Sequence, residues 1–116
     1  MSFESDLYDA IKGLVSNRVF PDVAPLSTVK PYITYQKVGG EAWNYLETVF
    51  HGFRHARVQV NCWAETRLEA AALARSVEVA LVQSTTLRGW VEGAVVDLHE
   101  DELSLYGTRQ DFTFRY

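Results

Sequence analysis

Apolar and polar residues alternate from Phe53 to Ala64 and then change to a helical period, and that switch is the clearest structural signal in the chain. In the alternating stretch Val58, Val60 and Cys62 face one way, and Arg57, Gln59, Asn61 and Trp63 the other, as a half-buried strand requires. Thr66 and Glu69 then form a capping box, in which a hydroxyl and a carboxylate satisfy the first free amides of a helix. Within that helix Ala70, Leu73, Ala74, Val77, Ala80 and Leu81 repeat at core-facing spacing. Leu68, Ala72, Val79 and Val82 make a weaker apolar edge on the far side. Two apolar edges on one helix of a small domain point to a partner subunit, although small Ala side chains also suit a solvated edge.

The remaining pattern completes the set of elements. Phe3, Leu7, Ile11, Leu14 and Val15 form a helical stripe behind Ser2 as N-cap, with Glu4 and Asp6 complementing the positive helix start. This helix should end near Ser16 or Asn17. Pro21, Pro25 and Pro31 then forbid helix and disfavour a central strand, which predicts an ordered, extended connection as far as Lys30. Tyr32–Val38 reads as a strand closed by Gly39-Gly40, with Ile33, Tyr35 and Lys37 on one face and Tyr32, Thr34, Gln36 and Val38 on the other. The connection after it carries Trp43, Tyr45, Leu46, Val49 and Phe50. Such an apolar loop either seals one end of the core, extends the flanking strands, or forms a binding patch. Beyond Ser84, a strand from Trp90 to Leu98, a turn at Glu100–Glu102 and a strand from Tyr106 to Tyr116 make a second hairpin. In the last strand Phe112, Phe114 and Tyr116 oppose Asp111, Thr113 and Arg115.

Helix, hairpin, helix, hairpin (α-β-β-α-β-β) predicts an α+β two-layer sandwich. Two helices would cover one face of an antiparallel sheet of about four strands. A chain of 116 residues fits a single domain, 1–116, that buries about two-thirds of its unfolded surface. Its hydrophobic fraction of 47% is ample for one such core.

Charge and cysteine content narrow the function. A net charge of −4, with eleven basic residues scattered singly, argues against tight or sequence-specific nucleic-acid binding. A single cysteine rules out an internal disulfide and fits a reducing compartment. The segment MSFESDLYDA carries acids where a signal peptide needs bases. No apolar run approaches the roughly 18 residues that span a bilayer. The expectation is a soluble domain made in the cytoplasm, without a membrane partner.

Catalytic and metal chemistry find little support. His51 and His55 have a helical ligand spacing, but on a strand their rings would stand roughly 13 Å apart at about 3.3 Å per residue. Cys62 shares the Val58–Val60 face and reads as a small core hydrophobe, not a nucleophile. Asp97, His99, Glu100, Asp101 and Glu102 suggest an acid–base cluster only on paper, since consecutive acids at a hairpin end usually form a solvated turn. Gly39-Gly40 lacks the glycine spacing, lysine and following helix of a phosphate cradle. The expectation is a protein that is not an enzyme and has no metal or cofactor.

Several segments together resemble the small phage tail-completion family, akin to the tail terminators of long-tailed phages. They are Arg18–Pro21 (RVFP) with Ala24-Pro25, Pro31–Val38 (PYITYQKV), Ala56–Ala74 (ARVQVNCWAETRLEAAALA) and Arg109–Tyr116 (RQDFTFRY). The resemblance runs nearly end to end and implies an α+β fold without cofactor or catalytic residues. It implies a virion protein that caps the head-proximal end of the tail tube, often as a hexameric ring. Such a protein stops tube polymerisation and supports head joining. The implied partners are further copies of itself, the tail tube protein and a head-tail connector protein. On this reading the contacts fall on edge strands, on Trp43, Tyr45, Leu46, Val49 and Phe50, and on the outer helix edge at Leu68, Ala72 and Val79. Two alternatives stand beside it: another phage neck or connector component, and a non-phage regulatory or small-ligand-binding domain.

Overall fold

The computed structural model describes residues 3–39, 55–87, 89–100 and 105–115. In chain order these form helix α1 (Phe3–Ile11), strands β1 (Val19–Pro21), β2 (Tyr32–Gly39) and β3 (His55–Ala64), helix α2 (Arg67–Gln83), and strands β4 (Trp90–Val91), β5 (Val96–Glu100) and β6 (Leu105–Arg115). The strands make one sheet in the order β1-β2-β3-β6-β4, with β5 also paired to β6. β1 runs parallel to β2, and every other pairing is antiparallel. The α+β class and the two helices agree with the sequence pattern. The sheet among the described residues differs: it is mixed and has six strands, where about four antiparallel ones were expected.

Both differences have local causes. The Pro-punctuated connection contains β1, which is only three residues long and sits at the sheet margin. An edge strand tolerates proline, and Pro21 occupies its last position before Asp22 N–H donates to Tyr35 O at 2.7 Å. The expected strand from Trp90 to Leu98 is broken instead. Trp90 and Val91 pair with Thr113 and Phe112, and Val96 pairs with Arg109. Four residues, 92–95, therefore face the two β6 residues Gln110 and Asp111, which is the excess that makes a bulge. The buried Gln110 side chain ties the break down, donating to Gly93 O at 3.2 Å and to Glu78 Oε1 of α2 at 2.9 Å.

Helix α1 continues into a 3-10 turn at Lys12–Leu14, so its α-helical part stops earlier than the apolar stripe suggested. The tighter turn rotates each residue further, and Leu14 is exposed while Leu7, Ile11 and Val15 are buried. Positive φ at Ser16 and Asn17, with Asn17 N–H donating to Lys12 O at 2.8 Å, ends the helical run where the sequence placed its end. The start of α2 follows the sequence closely: Glu69 N–H donates to Thr66 Oγ1 at 3.2 Å.

The two helices cover one face of the sheet. Leu7, Ile11, Val15, Leu73, Val77 and Leu81 meet Ile33, Val58, Val60, Cys62, Phe112 and Phe114 in one cluster. Each fully buried large side chain there stabilises the fold by about 1.5–3 kcal/mol. Small residues at Ala70 and Ala74 let α2 lie close to the strands. None of the described helices is long and apolar enough to cross a membrane.

Candidate assembly surface

Among the described residues, Cys62, Asp97 and His99 are held in packing, pairing and stacking contacts. Cys62 is 2% exposed in the helix-covered core, opposite Thr108 of β6. Burial pushes its thiol up to about 12, against the opposing effect of a hydrogen bond with Thr108, so the nucleophilic thiolate is suppressed at neutral pH. Asp97 pairs with Arg67 at 3.3 Å, and the His99 ring stacks on Tyr106 with its Nδ1 3.0 Å from Leu105 O. Strand alternation sends Glu100 to the opposite face from Asp97 and His99, so these three do not converge; Asp101 and Glu102 lie outside the described residues. No trio of His, Cys, Asp or Glu suited to a metal ion occurs among the described residues.

Among the described residues Cys62 and Tyr35 are pushed up furthest and Tyr32 is raised by its burial as well, and these shifts make folding stability pH-dependent. Cys62 ordinarily titrates near 9.0. The Tyr35 hydroxyl is also pushed up to about 12 from 10.0, by burial first and then by its bond to Glu4 and the charges of Glu4 and Asp22. Both pKa values are raised in the fold, so the unfolded chain releases these protons first. The stability they contribute is complete below pH 9 and is lost as pH climbs towards 12. The urea midpoint should hold level up to about pH 8.5, then fall, and Cys62→Ala should make that fall shallower. A midpoint unchanged to pH 11 would contradict this assignment.

The sheet face away from the helices carries several paired polar groups, while the buried Asn61 Oδ1 has no hydrogen-bond partner among the described residues. Trp63 Nε1 donates to Thr34 Oγ1 at 3.2 Å, Asn61 Nδ2 donates to Gln59 Oε1 at 3.3 Å, and Arg57 pairs with Asp111 at 3.0 Å. Trp63 lies over Gly107, where a methyl group would stand 2.5 Å from its ring.

The most exposed apolar side chains lie elsewhere. On α2, Leu68 is 83% exposed and Ala72, Val79 and Val82 are exposed too. With Arg75, residues 68, 72 and 79 form a stripe at i, i+4, i+7 and i+11, on the helix face opposite the buried Ala70, Leu73, Ala74, Val77 and Leu81. The structure thus brings together the three helical positions singled out by the sequence. The other five, Trp43, Tyr45, Leu46, Val49 and Phe50, lie outside the described residues.

A second apolar surface was missed by the sequence reading. In the connection from β1 to β2, Val23 is 78%, Leu26 92% and Val29 67% exposed. They stand on a defined scaffold. Thr28 N–H donates to Pro25 O at 3.2 Å with Ser27 at φ 67°, closing a turn that presents Leu26 at its tip. Asp22, at φ 61°, bends the chain out of β1, and Arg18 Nε donates to Pro31 O at 2.9 Å to hold the return. The available signal was an apolar residue every third position between prolines, a spacing that matches neither helix nor strand.

Among the described residues the most exposed apolar side chains gather on these two surfaces, and contiguous exposed apolar area is the usual mark of a contact with another chain. A search of curated protein sequences finds no match. The family model described as "Tail completion protein gp17" matches residues 8–116, and the chain belongs to that phage tail-completion family.

Proposed function

We propose that this chain caps the head-proximal end of the tail tube, ends tube polymerisation and provides the surface to which the head is joined. The observation that carries this reading is the apolar stripe Leu68–Ala72–Val79 on the solvent side of α2, in a chain of the tail-completion family. Assembly at a tube end needs subunits that meet one another as well as the tube, and a closed ring of copies uses heterologous contacts of this kind. The partners are then further copies of the chain, the tail tube protein and a head-tail connector protein. The segment holding Trp43, Tyr45, Leu46, Val49 and Phe50 is assigned to these contacts as well. A net charge of −4 suits a ring through which DNA passes without being held.

Deleting the gene from its parent phage tests the proposal by electron microscopy of lysates. The expected result is overlong tails, or normal tails detached from filled heads, with rescue by the gene supplied in trans. Normal infectious particles from the deletion would refute it.

A further inference from the structure

We propose that the turn at Asp22–Val29 of one copy docks on the α2 stripe of a second copy; this rests on the ring reading above and names the contact that builds it. The two surfaces match in apolar character and are opposite in charge. The turn is convex, with Leu26 at its tip and Val23 and Val29 beside it, all largely in solvent. The stripe offers the apolar side chains of Leu68, Ala72 and Val79, with Arg75 between Ala72 and Val79. Each surface also carries one charge of opposite sign: Asp22 at the base of the turn and Arg75 within the stripe. Among the described residues neither forms an ion pair, whereas Arg57, Arg67 and Lys12 each have a carboxylate within 3.3 Å.

The turn is preorganised, which lowers the entropy cost of docking. Backbone bonds at Asp22 and Thr28 already fix it in the free chain. An exposed leucine on a rigid turn gains its burial without ordering a loop. The two surfaces sit apart on one chain: the turn flanks the β1 margin, while α2 packs over β3, β6 and β4. Contact from the turn of one copy to the helix of another therefore leaves a free turn and a free helix at the ends of the pair, and further copies add in the same sense.

Leu26→Asp and Leu68→Asp test this without threatening the fold, because both side chains are exposed and an acid in the first turn of α2 favours the helix. Sedimentation of the wild-type chain across a concentration series should show concentration-dependent association. Each variant should weaken it at least tenfold with an unchanged melting temperature, and Arg75→Glu should weaken it at low salt. Pairing Leu26→Cys with Ala72→Cys in one chain should give a ladder of crosslinked species on mild oxidation, while buried Cys62 stays silent. Wild-type association that survives both aspartates and gives no ladder overturns the contact and leaves the ring reading standing on another surface. A wild-type chain that stays monomeric to millimolar concentration, with no ladder, overturns the contact too. The ring reading fails separately, if the gene deletion yields normal particles.

Discussion

Phe114→Ala should lower the unfolding free energy by about 4 kcal/mol, the largest loss expected from any single side chain here. Phe114 is fully buried on the helix-covered face near the end of β6, stacked on Phe112 at 6.1 Å and against Phe3 of α1 at 5.4 Å. Gly89 brings the backbone after α2 onto the same ring, where an added methyl would stand 2.5 Å from it. Removing the ring therefore empties a space bounded by α1, β6 and the exit of α2. Three walls from separate elements cannot all move inward, so the cavity term adds to the lost burial. Small domains have only about 5–15 kcal/mol in total, so the variant should unfold at markedly lower urea. An equilibrium urea titration measures it; a loss under 1 kcal/mol would mean that the site collapses freely.

Gly107→Val should cost about 3 kcal/mol for the opposite reason, overpacking. A side chain at position 107 meets the six-membered ring of Trp63 at 2.5 Å and the Cys62 carbonyl at 3.0 Å. Trp63 can yield only by swinging off the sheet, which breaks its bond to Thr34. The carbonyl belongs to β3, which is paired with β6 along ten residues, and it cannot yield. Combining Gly107→Val with Trp63→Ala should recover part of the loss but not all of it, because the backbone contact remains. Full recovery would assign the whole clash to the indole. No recovery would show that the indole is not what resists the side chain.

Much of this architecture was legible because β3 and α2 carry clean periods. Val58, Val60 and Cys62 alternate with polar residues, and Ala70 to Leu81 repeat at helical spacing behind a Thr66 cap. The outer stripe at Leu68, Ala72 and Val79 was legible for the same reason. The turn at Val23, Leu26 and Val29 was not, since its exposure depends on where β1 and β2 hold its ends, and β1 itself is fixed by pairing with Ile33–Tyr35. The break in the edge strand was hidden as well: Trp90-Val91 and Val95-Val96 read as one strand, and only the weak strand formers Glu92-Gly93-Ala94 between them hint at the interruption. Thr108 and Gln110 face the helices although they are polar. Gln110 is accepted there because Glu78 and Gly93 O supply its partners, which no local pattern encodes.

The margins of the sheet carry a consequence for how the chain behaves before assembly. On one side β1 offers three residues and stops at Pro21; on the other, the edge strand is stepped between Val91 and Val96. A stray strand laid against either margin could form only a few consecutive backbone bonds before losing register. Sheet-to-sheet aggregation is thereby starved of a template. On the contact proposed above, association of copies would rest on side chains of the turn and of α2 and not on open strand edges.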